Sequence, residues 1–133
     1  MPAEHRLSRR VQFAETDLAG IVHFSQFFLY MEEAEHALWR QAGLSIAVPD
    51  DPIRFLRVAA SCDYRAPLFF EEIFEVHIRI DAMGSRTIRY ACAITRGETR
   101  IASGSMTVAC VDIKASTPPK SIDIPVAIAV ALA

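Results

Sequence analysis

Early in the chain one carboxylate stands where it can do chemistry. Asp17 lies in the run Phe13 to Phe24, which also carries Gly20 and His23, and this run leads straight into a helical pattern that begins at Ser25. An acid a few residues ahead of a helix start suits acyl transfer. The carboxylate can attack a carbonyl carbon or activate a water that does so. The exposed amides of a first helical turn, here near Phe24, can hold the charge that develops on the carbonyl oxygen. Gly20 lets the backbone come close to a substrate. His23 can hydrogen-bond Asp17, hold a water or donate to the carbonyl oxygen, jobs that suit an imidazole. Each group also has a plain structural use: Asp ahead of Gly is a common turn residue, every helix has a first turn, and a histidine can simply line a pocket. No third ligand at a recognisable spacing joins Asp17 and His23, so no metal site is expected.

The elements that must position these groups follow from periodicity. Phe27, Met31, Ala34, Leu38 and Ala42 recur at helical spacing between Ser25, a candidate N-cap, and Gly43, a candidate left-handed C′ residue with Arg40 in the last turn. Residues 25–42 are therefore expected to form one helix. Glu32, Glu33, Glu35, His36 and Gln41 fill much of its other side, and Glu32 and Glu33 are read as solvated or interface residues. Tyr30 and Trp39 suit a core or an interface.

Beyond a linker with Pro49, Asp50, Asp51 and Pro52 the period changes to two. Phe74, Val76, Ile78 and Ile80 alternate with Glu75, His77, Arg79 and Asp81, and Ile88, Tyr90, Cys92 and Ile94 alternate with Arg89, Ala91, Ala93 and Thr95. Strands are expected over 6–13, 53–66, 72–83, 87–96 and 101–112, the last three joined as a meander by turns at Gly84-Ser85 and Gly97-Glu98. The order strand, helix, four strands describes one domain over 1–133, with a core at about 6–112 and a tail at 113–133. In the tail, residues 116–119 read as a turn, and the apolar run Val126 to Ala133 as a short helix docked on the sheet or on a partner.

The chain has 133 residues, a net charge of −2 and 52% hydrophobic residues, a high share that hints at surface buried in an oligomer. Mixed charge without a basic patch argues against nucleic acid. No apolar run approaches a membrane span, and the opening residues lack the apolar stretch of a signal peptide. The three cysteines, Cys62, Cys92 and Cys110, form no CxxC pair and sit in apolar or alternating runs. They are expected to be buried thiols in a reducing, cytoplasmic setting.

The runs ETDLAGIVHFSQFFLYMEEAEHAL, CDYRAPLFFEE and DAMGSRTIRY resemble the hotdog-fold acyl-CoA thioesterases, most closely the branch of 4-hydroxybenzoyl-CoA thioesterase. The likeness covers about residues 8–112 and rests on a TD-x-x-G-x-V pattern ahead of a long helix. It implies an α+β hotdog fold: a five-stranded antiparallel sheet wrapped around one central helix. It also implies edge-to-edge dimers with two sites at their interface, pairing further as dimers of dimers, and a coenzyme A thioester as substrate with no other cofactor. It places the family's acid on Asp17 and its carbonyl-polarising amide near Phe24. Contacts to pantetheine and phosphates fall on Ser85 and Arg86 in the Gly84 turn. Arg89 is a further candidate there, and Arg57 and Arg65 weaker ones. Phe27, Tyr30 and Met31 are expected to line the acyl site. His23 and Phe24 stand where relatives vary, which leaves the acyl group open. Two other functions stay open as well: a non-catalytic acyl-CoA binder, and a hydratase or dehydratase using His23 with Asp17 or Glu32.

Overall fold

The computed structural model describes residues 3–114 and 117–133. Five long strands and one helix follow in the expected order: β1 (Glu4–Arg10), α1 (Gln26–Gln41), β2 (Ile53–Tyr64), β3 (Ile73–Met83), β4 (Thr87–Arg96) and β5 (Thr99–Asp112). The sheet runs β1-β3-β4-β5-β2, all antiparallel, so β1 and β2 are its edges. A short strand not expected from the sequence, β6 (Lys120–Ser121), adds to β5, and α2 (Val126–Leu132) closes the chain.

The period-two pattern becomes the inner face of this sheet. Phe74, Val76, Ile78, Ile80, Ile88, Tyr90, Cys92 and Ile94 are all buried. Against them lies the apolar side of α1, with Phe27, Tyr30, Met31, Ala34, Leu38 and Trp39 buried. The sheet wraps the helix, and the fold is the hotdog arrangement. α1 ends as the sequence indicates: Gly43 has φ +81°, and the amides of Gly43 and Leu44 close on Arg40 O and Trp39 O at 3.0 and 2.9 Å. Its start differs. Ser25 sits at the N-cap position without donating or accepting a cap bond, because its hydroxyl pairs with His23 Nδ1 at 2.7 Å instead.

Three further differences have physical causes. β1 stops at Arg10, and Phe13 belongs to a 3₁₀ turn (Phe13–Glu15) with its ring 74% exposed, edge-on to Phe70. Glu35, on the helix's polar list, is only 1% exposed. Arg57 of β2 reaches it at 3.0 Å and also holds Glu32 at 3.1 Å, which offsets much of the cost of burying that charge. Glu33 is likewise paired, 2.6 Å from Arg9.

The tail folds back as a clasp. Ile122 N–H donates to Cys110 O, Ile124 N–H to Ser85 O, and Ala3 N–H to Leu132 O. The run Val126–Leu132 is helical and docked through buried Leu132. Of the turn expected at 116–119, Ser116 lies outside the described residues. The three thiols are free. Burial raises all three, Cys92 to about 12, which leaves them poor nucleophiles at neutral pH.

Candidate active site

The loop that carries Asp17 is tied down on three sides. Thr16 and Val22 bridge across its base, Asp17 N–H donates to Ile21 O at 2.9 Å, and Gly20 turns the chain with φ +80°. Val22 N–H donates to Leu68 O at 2.9 Å, and Ile21 bridges to Phe69, so the loop rests on the segment entering β3. The third tie is Glu15. Its carboxylate accepts from Arg9 at 2.8 Å, Gln12 N–H at 2.8 Å and the Tyr30 hydroxyl at 2.9 Å. Its carbonyl accepts from His23 N–H at 2.9 Å. Strand β1, the loop and the helix thus meet on one side chain.

Burial alone would raise the Glu15 carboxyl. The Arg9 guanidinium, the Gln12 amide and the Tyr30 hydroxyl together hold it below its ordinary value. Its contribution to stability is therefore complete above the unfolded carboxyl's pKa and lost as pH falls through the lower folded value. We expect Glu15→Gln to cost about 2 kcal/mol at pH 7. In urea unfolding the gap from wild type should narrow as pH falls below the ordinary carboxyl range, as the folded carboxylate takes up its proton. A gap of the same size at every pH would show that the charge is not what matters.

Asp17 itself is exposed, with one oxygen engaged. Oδ1 accepts from Ala19 N–H at 2.8 Å, an Asx turn, while Oδ2 meets no donor among the described residues. The carboxylate stands between two hollows. One, of about 500 Å³, is lined by Asp17, Val22, Phe24, Phe27, Tyr64 and Arg65, among others. The other, of about 580 Å³, lies on the Phe13, Leu18 and Phe70 side. The start of α1 borders the first hollow through Phe24 and Phe27. Phe24 N–H has no acceptor among the described residues, and Phe24 O accepts from the Tyr64 hydroxyl at 2.8 Å. A carboxylate oxygen, which accepts a proton, and an unpaired amide N–H, which donates, on one apolar groove can respectively activate a nucleophile and stabilise an oxyanion.

The other expected site residues are distributed as follows. His23 is half-buried; its Nδ1 is taken by Ser25 and its ring stacks at a tilt on Phe24, centroids 4.6 Å apart. Gly20 borders the second hollow and Phe27 the first. Tyr30 and Met31 are fully buried in the core, away from the groove surface. Ser85 and Arg86 grip the tail: Arg86 Nε is 3.1 Å from Asp123, and Arg89 Nε is 3.5 Å from Asp81. Their turn follows the end of β3, whereas Asp17 rests beside its start. Within one chain these places are roughly 33 Å apart along the strand. Sequence reasoning missed Tyr64 and Glu15, and rated Arg65 a weak candidate although it lines the groove beside Asp17.

Comparison with known proteins bears on this arrangement. The model of the thioesterase-like superfamily matches residues 11–132. The chain belongs to the thioesterase-like superfamily. By class this superfamily member is a thioester hydrolase. A protein of Aquifex aeolicus (strain VF5) is 34% identical over 106 residues, covering 79% of this chain and 81% of its own. The acyl-CoA thioester hydrolase YbgC of Escherichia coli O6:H1 is 25% identical over 118 residues, covering 85% and 88%. The structure of the gentisyl-coenzyme A thioesterase BH1999 superposes with a TM-score of 0.87 at 26% identity, covering 97% of this chain and all of that one.

Among the described residues, no His, Cys, Asp and Glu are grouped to hold a metal, and no helix is long and apolar enough to cross a membrane.

Proposed function

We propose that this thioesterase-like protein hydrolyses an acyl- or aroyl-coenzyme A thioester to the free acid and coenzyme A, in the cytoplasm and without a metal or redox cofactor. The observation that carries the reading is that Asp17 and the unpaired amide of Phe24 border one apolar groove. The thioester carbonyl oxygen points at Phe24 N–H. In one course Asp17 takes a proton from water as the water oxygen adds to the carbonyl carbon. In the other the carboxylate oxygen adds directly, giving a mixed anhydride that water then cleaves. In both, collapse of the oxyanion breaks the carbon–sulfur bond, and the thiolate leaves and is protonated. His23, with Nδ1 occupied, has Nε2 to offer as a polar contact at the groove mouth.

The working unit includes a second copy of the chain. β2 is an edge of the sheet over 12 residues, with Leu56 and Val58 exposed at 44% and 61%, and an open strand edge of that kind pairs readily. The phosphates of coenzyme A meet Arg65 of the same chain and the Ser85, Arg86 and Arg89 turn of a second copy. Phe24, Phe27 and Tyr64 suit an apolar acyl group.

The test is thiol release from acetyl-, hexanoyl-, palmitoyl- and benzoyl-CoA, run beside light scattering for mass. We expect turnover of at least one thioester and a dimer or a multiple of it. Affinity without thiol release across the panel would favour an acyl-CoA binder. Alkene change in an enoyl thioester without thiol release would favour a hydratase.

A further inference from the structure

Phe24 stands one residue ahead of the N-cap Ser25, where a carbonyl has no partner in the helical ladder. Phe28 N–H turns to Ser25 O, at 3.3 Å, and Gln26 N–H to His23 O, at 2.9 Å. Both are i to i+3 bonds, so the opening turn of α1 is wound tighter than the rest, and the Phe24 carbonyl is left outside the helical ladder. Its partner comes from another element: Tyr64, the last residue of β2, donates its hydroxyl at 2.8 Å. The Tyr64 ring stands edge-on to Phe27, centroids 5.1 Å apart and planes at 85°, which fixes where that hydroxyl can point. Tyr64 and Asp17 border the same groove.

We infer that Tyr64 is a positioning residue for the reaction: by bonding the Phe24 carbonyl, its hydroxyl anchors residue 24 at the groove and so fixes the aim of the unpaired Phe24 N–H at the thioester oxygen. The inference rests on the hydrolysis proposed above. Without the hydroxyl, the Phe24 carbonyl loses its partner, and residue 24 is held only on the side of the preceding peptide, whose His23 carbonyl accepts from Gln26 N–H. Residue 24 then moves more freely, and the aim of its N–H loosens. Burial and the neighbouring Cys62 push the Tyr64 hydroxyl upward, so it stays a donor through the neutral range.

The experiment uses two variants. Tyr64→Phe keeps the ring against Phe27 and removes only the hydroxyl; Tyr64→Leu removes both. The substrate is whichever of acetyl-, hexanoyl- and benzoyl-CoA turns over fastest, labelled with ¹³C at the thioester carbonyl. Tyr64→Phe is expected to lower kcat about tenfold, less than removal of an oxyanion donor itself, with KM within about twofold and an unchanged unfolding midpoint. In an Asp17→Asn background, which halts turnover, the infrared carbonyl band of the bound thioester should move back toward its frequency in water when Tyr64→Phe is added. A packing role would not move that band.

Three outcomes overturn the inference: wild-type kcat in Tyr64→Phe, a loss of kcat with no movement of the band, or a loss confined to Tyr64→Leu. The underlying reading fails differently. Wild-type turnover by Asp17→Asn alone sinks the proposed hydrolysis. An inactive Asp17→Asn beside an unaffected Tyr64→Phe sinks only the role given to Tyr64.

Discussion

Asp17→Asn is expected to lower kcat for acyl-CoA hydrolysis about a thousandfold, within the range that a positioned acid or base contributes. The amide side chain is nearly isosteric with the carboxylate. Its oxygen can still accept from Ala19 N–H, so the Asx turn, the bridge between Thr16 and Val22 and the fold should survive. What is lost is the second oxygen, which meets no donor among the described residues and is free to act. KM should change little, because Asp17 adds little apolar surface to a groove built by Val22, Phe24, Phe27 and Tyr64. Steady-state thiol release, with an unfolding curve recorded on the same sample, checks both halves. Wild-type turnover in a folded Asp17→Asn would remove the carboxylate from the chemistry.

The largest expected effect on stability lies in the middle of the sheet. A Cβ built on Gly104 comes within 2.6 Å of Met31 Sδ and 2.7 Å of the Ser61 carbonyl oxygen. The sulfur ends a flexible side chain and can move. The carbonyl belongs to the backbone of β2, next to the pair Cys62 and Gly104 in the β2–β5 ladder, and can move only if that pairing opens. Gly104→Ala is expected to cost about 3 kcal/mol, the upper part of the range for overpacking, read as a lower urea midpoint at unchanged slope. The missing side chain leaves room for the end of the Met31 side chain of α1 against β5. A midpoint equal to wild type would mean that the strand and the helix part more easily than their packing indicates.

How much of this was legible in the sequence depends on how local each feature is. β3 and β4 read clearly because alternate residues face a core and a surface, and Gly43 because a left-handed ending favours glycine. Asp17 and Phe24 could be brought together because seven residues and one turn separate them. Tyr64 could not: its hydroxyl reaches Phe24 across forty residues, and nothing in the run CDYRAP marks it as a donor. Glu35 counted as polar by helical periodicity, and only the arrival of Arg57 from β2 explains its burial. The Gly84 turn carried a resemblance to a coenzyme contact, yet its carbonyl and Arg86 hold a tail whose two-residue strand is too short to give a pattern. Ser25 had the right residue type for a cap, but a histidine two positions earlier competes for its hydroxyl.

The bond from Ala3 N–H to Leu132 O sets the first and last described stretches side by side, near the strand end farther from the Asp17 loop. A reporter or surface anchor attached through either stretch therefore leaves the molecule from one shared corner. Tethered that way, the protein keeps its point of attachment at one end of β1 and its Asp17 loop beyond the other.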